Sequence, residues 1–147
     1  MRRKSFQTAE CPVAKALDVI GDWWSLLIIR DAYRGMRRFG EFQKSLGVSK
    51  NILTRRLRTL VAHGILDNAP AADGTAYLEY VLTPKGRDLF TIIVALRQWG
   101  TDHLFGPGQC STELVDRKKG QPVGRLEVRA QDGRRLAPED AILKLVR

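Results

Sequence analysis

The chain has little cysteine, histidine or methionine, and no long hydrophobic run. Its 147 residues include only two of each of these three types. Cys11 and Cys110 stand 99 positions apart, which makes neither a disulfide framework nor a thiolate metal motif. His63 and His103 have no partners at ligand spacing, and no Gly-rich phosphate loop or G-x-S-x-G turn occurs. Ser25 is embedded in an apolar run. These gaps point away from an enzyme and away from any metal or cofactor. No stretch approaches the roughly 18 consecutive apolar residues of a membrane span. Arg2, Arg3 and Lys4 are not followed by an apolar run of signal-peptide type. The expectation is a cytoplasmic protein with reduced thiols and no membrane partner.

What the chain does have is positive charge, unevenly placed. The net charge is +9, with a pI near 10.1. Residues 1–60 carry 13 Lys/Arg against 5 Asp/Glu, residues 61–105 carry 3 against 5, and the last 42 residues carry 9 against 6. Cations gathered in one region favour a polyanionic partner over general solubilisation. A membrane surface fits less well, because no basic amphipathic helix has an aromatic apolar face left unburied. The apolar content of 44% suits one globular domain with an appendage.

The charge centres on residues 36–64, which read as two short helices and a tight joint. Phe39, Phe42 and Leu46 recur at helical spacing. Gly47 stops that helix, and Ser49 caps the next, with Val48 and Leu53 placed as a hydrophobic staple. Ile52, Leu53, Leu57, Leu60 and Val61 share one face of the second helix, which Gly64 ends. Lys50, Asn51, Thr54, Arg55 and Arg58 share the other, and these side-chain types bond guanine, adenine and phosphate. The same run on its own would be an ordinary solvated face. The helix and joint before it favour a helix-turn-helix whose second helix reads double-stranded DNA.

On either side the pattern is equally regular. Cys11-Pro12 opens a helix with Cys11 at the N-cap and Val13, Ala16, Leu17 and Ile20 as its buried face. Asp22 caps a helix from Trp23 to about Tyr33, whose WWSLLII centre is expected to be the hub of the core. After Gly64 the period becomes alternating, with strands near Ile65-Leu66 and Leu78–Leu82 around an Asp73-Gly74 turn. A hairpin in this place is a wing, and its tip offers backbone N–H groups at Gly74 and the Thr75 side chain. Thr83-Pro84 starts a helix to about Leu104 that is apolar nearly all round, so a second copy is expected to cover it. Beyond Gly106-Pro107-Gly108, alternation around Leu114-Val115 and Leu126–Ala130 suggests further strands, and the final PEDAILKLVR fits either a helix or a strand.

The expected architecture is mainly α with a small β component (α+β). It is a winged helix-turn-helix with dimerisation helices at both ends and a short β-rich C-terminal extension. Residues 1–8 are expected as a flexible arm, 9–105 as the winged domain with its dimerisation helix at 84–104, and 106–147 as the extension. The candidate DNA contacts are Arg38, Ser49, Lys50, Asn51, Thr54, Arg55, Arg58, Gly74 and Thr75.

The succession CPVAKALDVIGDWWSLLIIRDAYRG, RRFGEFQKSLGVSKNILTRRLRTLVAHGIL, LEYVLTPKGRDL and RQWG resembles the HxlR family over residues 9–105. That family consists of bacterial winged helix-turn-helix transcriptional regulators of MarR-like architecture. The resemblance implies a homodimer on a pseudo-palindromic operator, most often a repressor, with Ser49–His63 as the recognition helix. In redox-sensing members a cysteine in the place of Cys11 responds to oxidants or electrophiles. A helix N-terminus favours thiolate, whereas the bland alternative is an inert packing residue. Cys110 is a candidate partner for Cys11 of another subunit. Trp23, Trp24, Trp99 and Phe105 are candidates to line a cleft for a small-molecule effector, although aromatics at helical spacing are more often plain core. Some longer relatives carry a zinc ribbon in the extension; DRKKG and AQDGR hold no cysteine pair, so no zinc is expected here. The alternative function is an architectural, sequence-indifferent DNA-binding protein. Asn51 and Thr54 among the arginines favour base readout over it.

Overall fold

In a computed structural model describing residues 4–146, the chain forms six α-helices and one two-stranded sheet among the described residues. The helices are α1 (Pro12–Ile20), α2 (Trp23–Tyr33), α3 (Phe39–Leu46), α4 (Lys50–Ala62), α5 (Pro84–Arg87) and α6 (Phe90–Leu104). The strands β1 (Leu66–Pro70) and β2 (Leu78–Leu82) pair antiparallel, with Leu66 opposite Leu82 and Asn68 opposite Tyr80. The chain divides into two compact units at Ile93/Val94.

The first unit is built around α2, which packs on α1, α3, α4 and β2. Ile28 and Ile29 are wholly buried and meet Phe42 of α3, Leu53, Leu57 and Leu60 of α4, and Ile65 and Leu66 entering the wing. Local chemistry sets each boundary. Asp22 caps α2 by accepting the Ser25 N–H at 2.9 Å. Gly47 ends α3 at φ 62°, a left-handed conformation that glycine adopts without a Cβ clash. Ser49 caps α4 by accepting the Ile52 N–H at 3.3 Å, and its staple partners Val48 and Leu53 are buried.

Several expectations need correcting. The α1 face of Val13 and Leu17 is not buried in the chain: these side chains are exposed, as is Ala16, and only Ile20 joins the core. Trp23 projects into solvent from the start of α2. In β2 the charged Glu79 faces inward, where its carboxylate accepts the Ala72 N–H at 2.7 Å, while Leu78 is exposed. The single helix expected from Pro84 to Leu104 is broken after Arg87. Its cause is Tyr33, whose hydroxyl lies 2.6 Å from the Gly86 carbonyl and 2.8 Å from that of Arg87, taking up acceptors a continuous helix would use. Burial pushes the Tyr33 phenol pKa above its ordinary value.

Residues 1–3 of the expected N-terminal arm lie outside the described residues. Just beyond them, the Phe6 N–H is held by the Asp18 carboxylate at 2.9 Å. In the second unit the residues after α6 form turns closed by single bridges, Val115 with Pro122 and Arg129 with Arg135, in place of the expected strands. The turns are tight: Asp116 accepts the Lys119 N–H, and Gly120 and Gly133 have positive φ. Pro122 has no N–H with which to propagate a ladder. Gln98 of α6 holds this segment by pairing its amide with both the N–H and the carbonyl of Leu126. Of the closing PEDAILKLVR, the described residues 138–146 are neither helix nor strand beyond a 3-10 turn at Pro138–Asp140.

Candidate nucleic-acid interface

The helix α4 presents two contrasting faces. Leu53, Leu57 and Leu60 are at most 1% exposed, so the buried face fixes the helix against rotation. On the opposite face Lys50, Asn51, Arg55 and Arg58 are exposed. Their side chains make no ion pair or side-chain hydrogen bond among the described residues. Arg56 points elsewhere: its Nε lies 3.4 Å from the carboxylate of Asp22, tying α4 to the cap of α2. Thr54 is half-buried and donates its hydroxyl to the Lys50 carbonyl at 2.8 Å. Ser49 is occupied by its cap. Lys85 donates to the His63 carbonyl at 2.7 Å, satisfying an acceptor at the end of α4.

The packing of α3 on α2 is held by a buried carboxylate that sequence reading missed. Asp31 on α2 is wholly inaccessible and accepts the Ser45 hydroxyl of α3 at 2.7 Å. Arg30 lies 2.9 Å from the same carboxylate and Arg34 3.5 Å. The Asp31–Arg34 spacing was the available signal, since an acid and a base three apart are neighbours on a helix.

Arg38 stands at the N-cap of α3, away from α4. Glu41 reaches back to accept the Arg37 and Arg38 N–H groups at 3.1 and 3.0 Å, and these bonds hold its carboxyl below the usual pKa. The Arg38 guanidinium crosses to the wing, pairing with Asp73 at 2.5 Å and lying over the Tyr77 ring. A backbone bond from Tyr80 N–H to the Arg37 carbonyl, 2.7 Å, completes the attachment. Gly74 sits at φ 77° at the wing tip. Asp73 takes the Thr75 backbone N–H at 3.0 Å and also bonds the Thr75 hydroxyl. Those Thr75 contacts, with Arg38 added, bring the Asp73 pKa down to about 2. Of the predicted contacts, the structure gathers Lys50, Asn51, Arg55 and Arg58 on one free face, and places Arg38, Gly74 and Thr75 at the wing.

Among the described residues no cluster of three or more His, Cys, Asp or Glu is placed to hold a metal, and no helix is long and apolar enough to cross a membrane. Cys11 is exposed at the start of α1 and makes no capping bond, and both cysteines are free. Trp23 and Trp24 meet edge to face in the first unit. In the second unit Phe105 lines a cleft of about 590 Å³ with Arg97, Asp102, Cys110 and Arg125, and Trp99 is not part of its wall.

A three-helix core, an exposed helix after a tight turn, and a two-stranded hairpin behind it define a winged helix-turn-helix protein of the DNA-binding class. Comparison with known proteins agrees. Residues 19–106 match the family model described as HxlR-like helix-turn-helix. The chain belongs to the HxlR family of transcriptional regulators. It is 45% identical over 95 residues to an HTH-type transcriptional regulator of Mycobacterium tuberculosis whose own role is uncharacterised. That match takes in 65% of this chain and 60% of the relative's length. Among solved structures, PA1607, a candidate transcription factor, superposes with a TM-score of 0.89 at 57% identity, over 95% of this chain and 97% of that one. The oxidised form of the redox regulator HypR superposes with a TM-score of 0.57 at 34% identity, over 63% of this chain and 96% of that one.

Proposed function

We propose that the protein is a sequence-specific transcriptional regulator, acting as a repressor, that binds a pseudo-palindromic operator as a homodimer. In this reading α4 enters the major groove, with Lys50, Asn51, Arg55 and Arg58 toward base edges and phosphates. Ser49 and Thr54 lie alongside, and the wing with Arg38, Gly74 and Thr75 lies near the flanking backbone. The observation that carries it is the free cationic face of α4 backed by a wholly buried one. Asn51 within that face supports base readout over sequence-indifferent binding.

The homodimer is supported by exposed apolar side chains on two helices: Val13 on α1, and Ile92, Leu96 and Trp99 on α6. Apolar side chains grouped in this way are the material of a protein–protein contact. Cys11 is the candidate thiol switch, supported by its exposure and by the likeness to a redox regulator solved in oxidised form. Such a protein would work in the cytoplasm, without catalysis.

Selection of bound DNA from a random library, with and without oxidant, tests these points together. An inverted-repeat motif is the expected result, with recovery reduced by oxidant in the native chain but not in Cys11→Ser. Uniform recovery of all sequences would instead mark an architectural DNA-binding protein. Repression is tested by a reporter driven from the recovered motif; rising expression on adding the protein would reverse the sign.

A further inference from the structure

The segment 141–146 stands out from the rest of the second unit. It leaves the 3-10 turn at Pro138–Asp140 with extended backbone at Ala141, φ −123° and ψ 141°. Ile142, Leu143, Leu145 and Val146 are 90%, 103%, 92% and 87% exposed. Four large aliphatic side chains within five positions, all in water, exceed the scattered single hydrophobes of an ordinary surface. The same unit carries a second uncovered apolar feature on α6, where Leu96 and Trp99 are 51% and 58% exposed. Segment and stripe match in chemistry, yet neither covers the other within the chain.

We propose that residues 141–146 form an exchange arm that packs on the Leu96–Trp99 stripe of a second copy of this chain. The proposal rests on the homodimer reading and adds to it the extension of one copy seated on α6 of the other. A two-fold pair makes the exchange reciprocal, so that each copy gives an arm and receives one. The size is adequate. A buried aliphatic side chain removes roughly 60–120 Å² from water. Two arms with the stripes they cover would therefore remove on the order of 1,000 Å², enough for a specific protein–protein contact. An extended segment is also suited to such a role, because it can follow a helix groove without first breaking contacts of its own.

Sedimentation equilibrium on the whole chain tests this, with Leu143→Asp/Leu145→Asp, Trp99→Ala, and the three changes combined. The arm side chains are almost fully solvated in the single chain, so circular dichroism of dilute protein should be unchanged by the aspartates. The native chain should be a dimer, and the arm and stripe variants should each raise its Kd roughly tenfold or more. The combined variant should be little weaker than the worse of the two, the non-additivity of groups in contact. A dimer unaffected by the aspartates would overturn the arm and leave the homodimer standing. Fully additive losses would overturn the stripe as its docking place. A native chain that sediments as a monomer at micromolar concentration would overturn the homodimer reading, and the arm with it.

Discussion

Arg38 and Asp73 join the two parts of the candidate DNA surface: a guanidinium at the N-cap of α3 holds a carboxylate at the tip of the wing, 2.5 Å away. The pair is solvated, so its contribution to global stability is small. Its effect is on the angle of the wing. Asp73→Asn should leave the melting temperature within a degree or two while lowering operator affinity and freeing the wing tip, seen as faster amide exchange at residues 73–76. Unchanged exchange there would mean the wing is held by the Arg37–Tyr80 backbone bond alone.

The same contact sets a pH dependence. The Asp73 pKa falls from an ordinary 3.8 to about 2 because the folded state bonds the carboxylate. A depressed acid stabilises the fold in full above its unfolded pKa, and loses that contribution as pH falls through the folded one. The wing latch is therefore complete at neutral pH and opens between about pH 4 and 2. A carboxyl-carbon titration by NMR should find the midpoint near 2, and Thr75→Val should move it upward. An Asp73 midpoint at 3.8 would show that these bonds do not persist in solution.

Arg55 and Arg56 are adjacent but should behave oppositely. If Arg55 meets a guanine, Arg55→Ala should cost about 1–3 kcal/mol of operator affinity, relax selection at one base pair and spare the fold. Arg56→Ala removes the contact with Asp22 and should cost at most about 1 kcal/mol of stability, without a change in base preference. Filter binding on operator and random DNA, beside thermal melts, separates the two. Equal loss on both DNAs for Arg55→Ala would make it a phosphate contact.

Asp31→Ala removes the acceptor that joins α2 to α3 and leaves a void where no solvent reaches. The expected cost is about 2–4 kcal/mol from the lost charge-assisted bonds and the cavity. Ser45→Ala, which removes only one of the bonds, should cost about 1 kcal/mol. Urea denaturation gives both values, and equal losses would indicate that Ser45 is the sole partner that matters.

Gly86→Ala tests the packing of the wing against α5. A Cβ there would meet the Ile65 carbonyl oxygen at 2.2 Å, a backbone atom with little freedom to move. A loss of about 1–3 kcal/mol or more is expected by chemical denaturation, although alanine is the better helix former. A neutral result would mean that the strand end gives way easily.

Local chemistry made much of this fold legible. Pro12, Asp22, Gly47, Ser49, Gly64 and Thr83 each act on the few residues beside them, and the helices begin and end where those signals stand. The apolar period also separated the two faces of α4, except that Ile52 is exposed and Thr54 half-buried. What stayed hidden depends on partners far along the chain. Asp31 and Glu79 are buried because Ser45 and the Ala72 N–H meet them, and neither partner is marked by spacing. Tyr33 interrupts the helix at Arg87 from more than fifty residues away. Periodicity found the apolar faces of α1 and α6 but does not state which surface covers them. In the extension, alternating residues suggested strands where the Lys119-Gly120 and Asp132-Gly133 turns and Pro122 allow only single bridges.

Thr54 is the one member of the cationic face whose hydroxyl is already committed, to the carbonyl one turn earlier. With that proton turned inward, the hydroxyl has no hydrogen left to offer a base, and the side chain keeps a methyl among charged neighbours. Such a group discriminates by shape and dryness, and its natural counterpart in a major groove is the 5-methyl of thymine. An operator half-site read by this helix should therefore contain a thymine whose replacement by uracil weakens binding, an effect that Thr54→Ser would erase.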